Sequence, residues 1–407
     1  MVARLPSLKR RRFPANFWAR MRIRPTEALV DLDAIAHNFR VAVELAGRPA
    51  MGIVKADAYG HGAVQVARVL LNAGAPLLAV ALVEEGLELR ESGIEAPILV
   101  MGAAYGDRYD LLVRHRLTPI VFTPEHIARL GAAARSAGGR AVAHLKFDTG
   151  MGRLGVAPGG LPAIVEALRG APEVDIEGVC THFANADVEP RETTERQVRL
   201  FHEASDALGR AGFEPRLHHL ANSAGTLEYP AARQDITRPG IMIYGYSPFE
   251  SAVSLSATAR EAAARLRPAL TWRTAIVHLK TVAPGTAISY GGRWVAQRTS
   301  RIATVPVGYG DGYDRRLSGR PGFGSADVLV HGRRAPVAGT VCMDMTMVDI
   351  TDVPGAQLGD EVVLIGSQGA QRIGADELAS RLGTISYEVL CAVGKRVPRR
   401  YSQTTPV

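Results

Sequence analysis

One short string brings together several residue types that can do chemistry. Lys55 and Tyr59 follow the apolar run Gly52 to Val54, within the sequence Val-Lys-Ala-Asp-Ala-Tyr-Gly-His-Gly. A lysine at the end of a buried strand can act in catalysis if it faces an open edge of a sheet. A single lysine in such a place is more often a solvated surface residue. Taken alone, the string leaves both interpretations of Lys55 open.

Two further basic residues lie in the segment Lys146 to Gly155. Arg153 suits a carboxylate ligand, because the planar guanidinium can pair with a carboxylate through two hydrogen bonds. Lys146 by itself predicts a buried ion pair with a nearby carboxylate such as Asp148. The segment therefore indicates either a binding site for an anion or an internal ion pair.

Polar residues follow three more apolar runs. His182 comes after one of them, and a single histidine there is more often a satisfied core or surface residue. Asn222-Ser223 and Arg238-Pro239-Gly240-Ile241 could bind phosphate through hydroxyl and backbone N–H groups in neighbouring loops of a barrel. Both have a structural interpretation too, since Asn222-Ser223 can cap a helix and Pro239-Gly240 can form a turn.

These segments need a scaffold that brings the ends of several strands together. From about residue 28 to 245, short apolar runs alternate with amphipathic stretches, as in repeated strand and helix units around a parallel sheet. Thr123-Pro124 is a favourable helix start. Eight repeats over roughly 220 residues favour a (β/α)8 barrel, although a doubly wound open sheet fits the same count. The runs are Gly52 to Val54, Leu77 to Leu82, Pro97 to Met101, Thr118 to Phe122, Ala141 to Phe147, Ile176 to Thr181, Leu217 to Ala221 and Ile236 to Ile243.

The pattern changes after about residue 250. β-branched or alternating segments with Gly and Pro between them predict a second, mostly β domain. These segments are Thr271 to Lys280, Arg301 to Val307, Val328 to Val330 and Thr346 to Ile350. We therefore expect an unstructured basic extension over 1–20, a barrel over 21–250 and a mostly β domain over 251–407.

The motifs quoted above closely resemble those of the alanine racemase family, and the resemblance extends from about residue 25 to 400. It implies that Lys55 carries pyridoxal 5'-phosphate as a Schiff base and that Tyr59 binds the phosphate. In many members the lysine at the position of Lys146 is carbamylated and holds the arginine, here Arg153. Further cofactor contacts implied by the resemblance are His182, Asn222, Ser223, Arg238, Gly240, Ile241 and Tyr387.

Arg238 indicates which reaction to expect. The resemblance places it on the pyridine nitrogen, where many other pyridoxal enzymes use an acidic residue. A fixed cation cannot readily accept a proton, so the pyridine should stay unprotonated and the substrate carbanion should be short-lived. Immediate reprotonation at the same carbon is then favoured over transamination or decarboxylation, and the outcome is racemisation.

Racemisation needs one proton-transfer group on each face of the substrate Cα. The resemblance implies Lys55 on one face and Tyr290 of the partner subunit on the other, with Tyr309 and Met343 near the substrate. A tyrosine has an ordinary pKa of about 10, so Tyr290 needs nearby positive charge, which a chain from His182 to Arg238 could provide. Taken alone, Tyr290 beside two glycines predicts only a turn aromatic. The implied assembly is a head-to-tail homodimer with shared active sites.

The composition argues against several other classes of protein. The formal charge of +8 is concentrated in residues 1–20, which hold six basic residues and no acidic one; the remainder has 42 basic against 40 acidic residues. We therefore expect no nucleic acid partner.

Residues 1–20 lack the apolar core of an export signal, and the longest apolar run, Ala75 to Val83, is too short to span a bilayer. Three cysteines, an odd number, indicate a reducing compartment, so we expect a cytoplasmic protein, without membrane or metal.

Other functions fit parts of the pattern. The same machinery could racemise serine or lysine, but the bulky Tyr309 and Tyr387 favour a small substrate such as alanine, whose D form serves peptidoglycan. A pyridoxal-dependent decarboxylase is disfavoured, because the chain lacks a triple-glycine phosphate loop and has no acidic residue in place of Arg238. A non-catalytic pyridoxal-phosphate-binding protein would resemble the barrel alone, and the domain carrying Tyr290 and Met343 argues against it.

Overall fold

The computed structural model describes residues 23–102, 106–157, 159–249, 253–319 and 325–403. The chain divides into two compact units. The barrel unit comprises Leu29–Thr271, Gly374–Gly394 and the chain from Tyr401. The β unit comprises Trp272–Ile373, Lys395–Arg400 and the chain up to Ala28. The extension expected over 1–20 lies outside the described residues, and the first described strand is β1 (Glu27–Asp31).

Seven parallel strands, hydrogen-bonded in chain order from β2 to β8, form the sheet of the barrel unit. The predicted fold class, an α/β barrel followed by a mostly β domain, is confirmed. The strands coincide with the first seven predicted apolar runs to within a few residues. They are β2 (Gly52–Ile53), β3 (Leu78–Val80), β4 (Ile98–Val100), β5 (Leu117–Val121), β6 (Ala141–Lys146), β7 (Val174–Cys180) and β8 (Leu217–His219).

The eighth predicted run, Ile236 to Ile243, does not form a strand, and the prediction is corrected here. Thr237 forms a single parallel bridge with Ala50, and the backbone N–H of Arg238 donates to the carbonyl of Ala221, 2.8 Å away. The segment thus joins both edges of the sheet and closes it. Pro239 has no N–H with which to continue the pairing. The chain then turns into a short 3-10 helix.

Helices follow the barrel strands, and side chains cap the starts of some of them. Asp31 accepts a hydrogen bond from the N–H of Ala34 at 2.9 Å, and Thr123 accepts one from the N–H of His126 at 3.2 Å. The helix predicted at Thr123-Pro124 is confirmed. No described helix is long and apolar enough to cross a membrane. The helices of this unit are α1 (Leu32–Ala46), α2 (Ala63–Asn72), α3 (Val83–Glu91), α4 (Tyr109–Arg114), α5 (Pro124–Ser136), α6 (Leu161–Arg169), α7 (Glu192–Arg210), α8 (Ser223–Glu228), α9 (Ala257–Ala264), α10 (Ala375–Leu382) and α11 (Ser386–Cys391).

The β unit contains a seven-stranded sheet, an antiparallel three-stranded sheet in the order β10-β13-β16, and the two-stranded pair β11-β12. The large sheet runs β15-β14-β17-β9-β1-β19, with β18 beside β17, and the chain passes between units within β1, β9 and β19. The strands are β9 (Leu270–Ala275), β10 (His278–Val282), β11 (Ala287–Ile288), β12 (Trp294–Val295), β13 (Ser300–Val305), β14 (Asp327–Val330), β15 (Arg333–Pro336), β16 (Thr346–Asp349), β17 (Glu361–Gln368), β18 (Gln371–Ile373) and β19 (Arg399–Ser402).

One predicted strand of this unit is divided in two. Thr271 to Lys280 forms the end of β9 and the start of β10, which belong to different sheets. The break lies where the N–H of Ile276 donates to Asp360 at 3.0 Å and the next N–H, of Val277, donates to Thr304 at 2.9 Å. Alternation alone could not predict this change, because both halves are extended and partly buried.

Candidate active site

A cavity of about 250 Å³ lies at the carboxyl ends of the barrel strands. Five side chains singled out in the sequence line it: Lys55, Lys146, Arg153, His182 and Arg238. No carboxylate is among its described lining residues, so the cavity concentrates positive charge. A larger cavity of about 610 Å³ lies between α6 and α7 and contains none of the predicted site residues. The smaller cavity is therefore the candidate active site.

Lys55 is held at the start of an unusual turn. The next four residues, Ala56 to Tyr59, all have left-handed backbone angles, with φ between 51° and 54°. Such angles cost a non-glycine residue roughly 1–2 kcal/mol each, so the surroundings must enforce them. The Glu85 carboxylate accepts from the N–H of Ala56 at 2.5 Å, and Asp57 accepts from the N–H of Ala63 at 2.7 Å. These contacts fix Lys55 at the mouth of the cavity.

Burial and neighbouring charges change the pKa of the Lys55 amine. Burial lowers its pKa, and the nearby charge of Arg153 lowers the pKa further, while Glu85 opposes them. Within the described chain, Lys55 forms no salt bridge with a carboxylate. A neutral amine, the form that reacts with carbonyl compounds, is therefore more accessible here than for a solvated lysine.

Arg238 is almost fully buried, with 6% of its surface exposed. Its Nη1 donates to His219 Nδ1 at 2.9 Å and also to the carbonyl of His219. Its Nη2 donates to the carbonyls of Thr181 and Leu220 at 2.8 and 3.0 Å and faces His182 Nδ1 at 3.3 Å. The Nε hydrogen has no acceptor in the described part of the chain. The predicted contact between His182 and Arg238 is present in the structure.

Sequence reasoning missed two histidines behind this arginine. His219 contacts Arg238, and His144 Nδ1 lies 2.8 Å from His219 Nε2. Burial and the charge of Arg238 lower the pKa of His219 and of His182 well below the ordinary value, so both rings stay neutral. A signal was available, because His144 lies two residues before Lys146 on β6 and side chains two apart share one side of a strand.

Tyr59, Ser223 and Gly240 form a cradle. The Ser223 hydroxyl accepts from the N–H of Gly240 at 2.9 Å, and a Cβ built on Gly240 would lie 2.5 Å from Tyr59 Oη. Ile241 follows directly in the same loop. The Tyr59 ring stacks on Tyr244, with centroids 4.7 Å apart. Hydroxyl and backbone N–H groups thus converge at one small space, as an anion site requires.

Two other predicted cofactor contacts, Asn222 and Tyr387, lie near this cradle and differ in their interactions. Asn222 accepts from the N–H of Gly225 at 2.9 Å and caps α8, so the helix-cap interpretation holds for that side chain. Tyr387, at the start of α11, has its ring 5.8 Å from that of Tyr59. Burial raises the pKa of both tyrosines, so their hydroxyls remain protonated. They can therefore donate hydrogen bonds to an anion.

Lys146 does not form the ion pair with Asp148 that the residues alone predicted. Asp148 instead accepts from the N–H groups of Gly150 and Gly152, at 3.0 and 3.1 Å, and shapes the loop that leads to Arg153. Lys146 is 5% exposed, and burial lowers its pKa. Both N–H groups of the glycine loop donate to Oδ1 of Asp148, so the loop orients this carboxylate.

Tyr290, Tyr309 and Met343 belong to the β unit and are exposed, by 71%, 41% and 52%. Their segments are joined by hydrogen bonds. The N–H of Tyr309 donates to the carbonyl of Cys342 at 3.0 Å, and Thr340 Oγ1 donates to the carbonyl of Tyr290 at 3.0 Å. Within the β unit, the three predicted residues therefore lie in neighbouring loops.

Two family models match the chain, the alanine racemase N-terminal domain over residues 30–248 and the alanine racemase C-terminal domain over 269–401. An alanine racemase of Sorangium cellulosum is 46% identical over 393 residues, covering 94% of this chain and 100% of the relative. The crystal structure of alanine racemase from D-cycloserine producing Streptomyces lavendulae matches with a TM-score of 0.86 at 35% identity, covering 95% and 99% of the two chains. That of Bacillus anthracis with bound L-Ala-P matches with a TM-score of 0.84 at 37% identity, covering 94% and 96%.

The barrel, the β domain and these matches define an isomerase of the two-domain racemase type. The chain belongs to the alanine racemase family. In the described residues, no group of three or more His, Cys, Asp or Glu side chains is arranged to hold a metal ion.

Proposed function

We propose that the protein interconverts L-alanine and D-alanine with pyridoxal 5'-phosphate, in the cytoplasm, and so supplies D-alanine for peptidoglycan. One observation carries the proposal: a lysine with a lowered pKa shares a cavity with Arg153, Arg238 and His182 at the carboxyl end of the barrel, and no carboxylate is among the described residues that line it. The relatives support alanine as the substrate, since they are named alanine racemases. The three cysteines, all free thiols, fit a reducing compartment.

The residues of the site fit this cofactor. The buried Arg238 has one donor, Nε–H, without an acceptor among the described residues, which suits an unprotonated ring nitrogen. The absence of a side chain at Gly240 lets the Tyr59 hydroxyl lie against this loop. Tyr59, Ser223 and the backbone at Gly240 and Ile241 suit a phosphate there. Asn222 and Tyr387 border this cradle, and His182 would pack against the ring.

Pyridoxal phosphate, when bound, supplies an electron-withdrawing ring that acidifies the Cα proton of an attached amino acid. Lys55 would hold the cofactor covalently and move a proton on one face of Cα. Arg153 would pair with the substrate carboxylate through its planar fork. Arg238 offers only N–H donors, so it gives the ring nitrogen no proton and favours return of the proton to the same carbon.

The opposite face needs a second base, which we assign to Tyr290 of the partner subunit. Tyr290 is 71% exposed within its own chain and lies in loops that carry Tyr309 and Met343. An exposed cluster of large side chains fits a surface that is covered on assembly. We therefore propose a head-to-tail homodimer, in which Tyr309 and Met343 also border the substrate.

Lys146 is proposed to be carbamylated. Its amine would attack carbon dioxide, forming an N–C bond and releasing one proton to solvent, and the resulting anion would pair with Arg153. A buried lysine with a lowered pKa and no salt bridge with a described carboxylate favours this reaction, which requires the neutral amine. Carbon-13 NMR of protein equilibrated with labelled carbon dioxide should show one carbamate resonance that is absent in Lys146→Gln.

The proposed function is tested by proton NMR of purified holoenzyme in deuterated buffer, with chiral chromatography of the products. L-alanine should exchange its α-proton and yield D-alanine, and the formation of D-alanine should be lost in Lys55→Ala and in Tyr290→Phe, since each removes one of the two bases. Tyr109→Phe, on α4 and outside the cavity, is the matched control and should retain activity. L-serine and L-lysine are offered in parallel reactions. Faster formation of D-serine or D-lysine than of D-alanine would change the substrate, and bound cofactor without any α-exchange would reject the racemase.

A further inference from the structure

A line of polar side chains runs through the barrel away from the candidate active site. His219 Nδ1 lies 2.9 Å from Arg238 Nη1, and His219 Nε2 lies 2.8 Å from His144 Nδ1. Beyond it, His144 Nε2 lies 3.6 Å from the Glu177 carboxylate, which also accepts from Arg216 at 2.8 Å. His144 and His219 are buried, with 1% and 0% of their surfaces exposed. We call His144, His219 and Arg238 the histidine chain.

Only one arrangement of protons satisfies the histidine chain. An arginine can only donate, so His219 Nδ1 must carry a lone pair. The proton of His219 is then on Nε2 and points at His144 Nδ1, which must accept it. The proton of His144 is consequently on Nε2, on the side of Glu177. The state of each ring is therefore set by the next residue in the line.

His144 lies outside the candidate active site. It lines a third cavity, of about 330 Å³, with Leu77, Ile98 and Leu217 from the amino ends of the barrel strands. It is not among the residues that line the cavity of Lys55. Its ring is fixed by close packing, because a Cβ built on Gly178 of β7 would lie 2.8 Å from it. The contact with His219 is therefore the hydrogen bond that links His144 to the site.

We propose that His144 is a positioning residue for the reaction. Its Nδ1 lone pair holds the His219 proton on Nε2, so that His219 Nδ1 accepts from Arg238 and orients the guanidinium with Nε–H toward the cavity. Without this acceptor, His219 loses the partner of its buried N–H and can rotate or change tautomer. Arg238 then loses one of its fixed contacts. The effect on turnover rests on the proposed function, since it requires Arg238 to contact the cofactor.

The direct test is nitrogen-15 NMR of histidine-labelled holoenzyme, which reports the tautomer of each ring, combined with kinetics of two variants. His144→Phe keeps the ring volume and removes the acceptor, whereas His144→Asn keeps an acceptor near the position of Nδ1. His218→Phe is the matched control, because His218 is the neighbour of His219 on β8 but bonds Asp235 at 2.8 Å, outside the histidine chain. Thermal unfolding is recorded for all variants.

We expect the wild-type protein to carry the His219 and His144 protons on Nε2. His144→Phe should populate a second form of His219 and lower kcat about tenfold with little change in KM, as for other residues that orient a contact residue. His144→Asn should restore the single form of His219 and the wild-type kcat. His218→Phe should change neither the His219 tautomer nor kcat.

Three results would overturn the proposal. One is a wild-type His219 proton on Nδ1, which is measurable even if His144→Phe does not fold. Another is an unaltered kcat in His144→Phe despite a changed His219 tautomer. The third is a loss of activity in His144→Asn equal to that in His144→Phe. A wild-type enzyme that does not racemise alanine would reject the proposed function instead, and the tautomer measurement would still decide the arrangement of the histidine chain.

Discussion

The hydroxyl of Tyr59 lies directly against the α-carbon of Gly240, so that a Cβ at residue 240 would be 2.5 Å from Tyr59 Oη. Real Cβ atoms do not approach so closely, and Tyr59 cannot easily retreat because it is 5% exposed and stacked on Tyr244. The lack of a side chain at residue 240 thus allows the Tyr59 hydroxyl to reach the loop to which we assign the cofactor phosphate.

Gly240→Ala should therefore weaken cofactor binding. The new methyl group displaces Tyr59 Oη and occupies part of the cradle, and the lost contacts should raise the Kd for pyridoxal phosphate about tenfold or more, because hydrogen bonds to charged groups contribute about 1.5–3 kcal/mol each. Titration of apoenzyme, followed by absorbance, measures it. Gly139→Ala, where a Cβ meets nothing within 4 Å, is the control. Equal affinities in the two variants would contradict the assignment of the cradle.

Arg153 should lower the pKa of Lys55 as well as bind substrate. Burial is the larger cause of the lowered pKa, and the charge of Arg153 adds to it by disfavouring the protonated amine. Removal of that charge in Arg153→Gln should raise the pKa of Lys55, so the neutral amine should appear only at higher pH. Carbon-13 NMR of reductively methylated apoenzyme follows this titration directly.

The control for this experiment is Arg210→Gln, which removes a surface cation at the end of α7. It should leave the titration of Lys55 in place, because exposed charges beyond about 10 Å are screened at ordinary ionic strength. A Lys55 midpoint that is the same in Arg153→Gln and the wild type would show that burial alone sets it.

The left-handed turn after Lys55 predicts how substitutions at the exposed Ala56 affect stability. Ala56 has φ of 53° and is solvent-exposed, so substitutions there test backbone conformation rather than packing. Ala56→Val should destabilise the fold by about 1–2 kcal/mol and reduce activity, since a β-branched residue strongly disfavours this region.

The matched variant is Ala56→Gly. Glycine removes the free-energy cost of the left-handed backbone angle but loses more conformational entropy on folding. The two contributions, about 1 kcal/mol each, nearly cancel, so the free energy of unfolding should stay close to that of the wild type. Denaturant unfolding of the two variants should therefore differ by about 1–2 kcal/mol. Identical unfolding free energies would mean that the turn relaxes without cost.

The scaffold was more predictable from the sequence than the details of the site. Seven of the eight apolar runs became strands because burial on both faces makes parallel strands apolar throughout. The run containing Pro239 forms only a single bridge, at Thr237, before the chain turns into a 3-10 helix. The turn at Ala56 could not be predicted, because alanine rarely has positive φ and Glu85, which stabilises the turn, is distant in sequence.

Polar contacts between strands were also not predictable from the sequence. For Lys146, the residues alone left an ion pair with Asp148 open, but Oδ1 of that carboxylate accepts from the backbone of the glycine loop instead. The partner of His144 is His219, 75 residues away. Periodicity predicts which side chains point into the barrel, whereas the partner of each depends on strand register, which the sequence pattern does not contain.

Shared active sites give the strictest test of the proposed dimer. Lys55→Ala and Tyr290→Phe should each be inactive as homodimers, because each removes one of the two proton-transfer groups from both sites. In a mixed dimer, one site combines Lys55 of one subunit with the intact Tyr290 of its partner, and the other site carries both substitutions. Random mixing makes half of the dimers mixed, so co-expression at equal levels should restore about a quarter of the wild-type activity.

If Tyr290 served the barrel of its own chain, every site would lack one group and the mixture would stay inactive. Differently tagged subunits allow the mixed dimer to be purified, and its kcat per dimer should be about half that of the wild type with an unchanged KM.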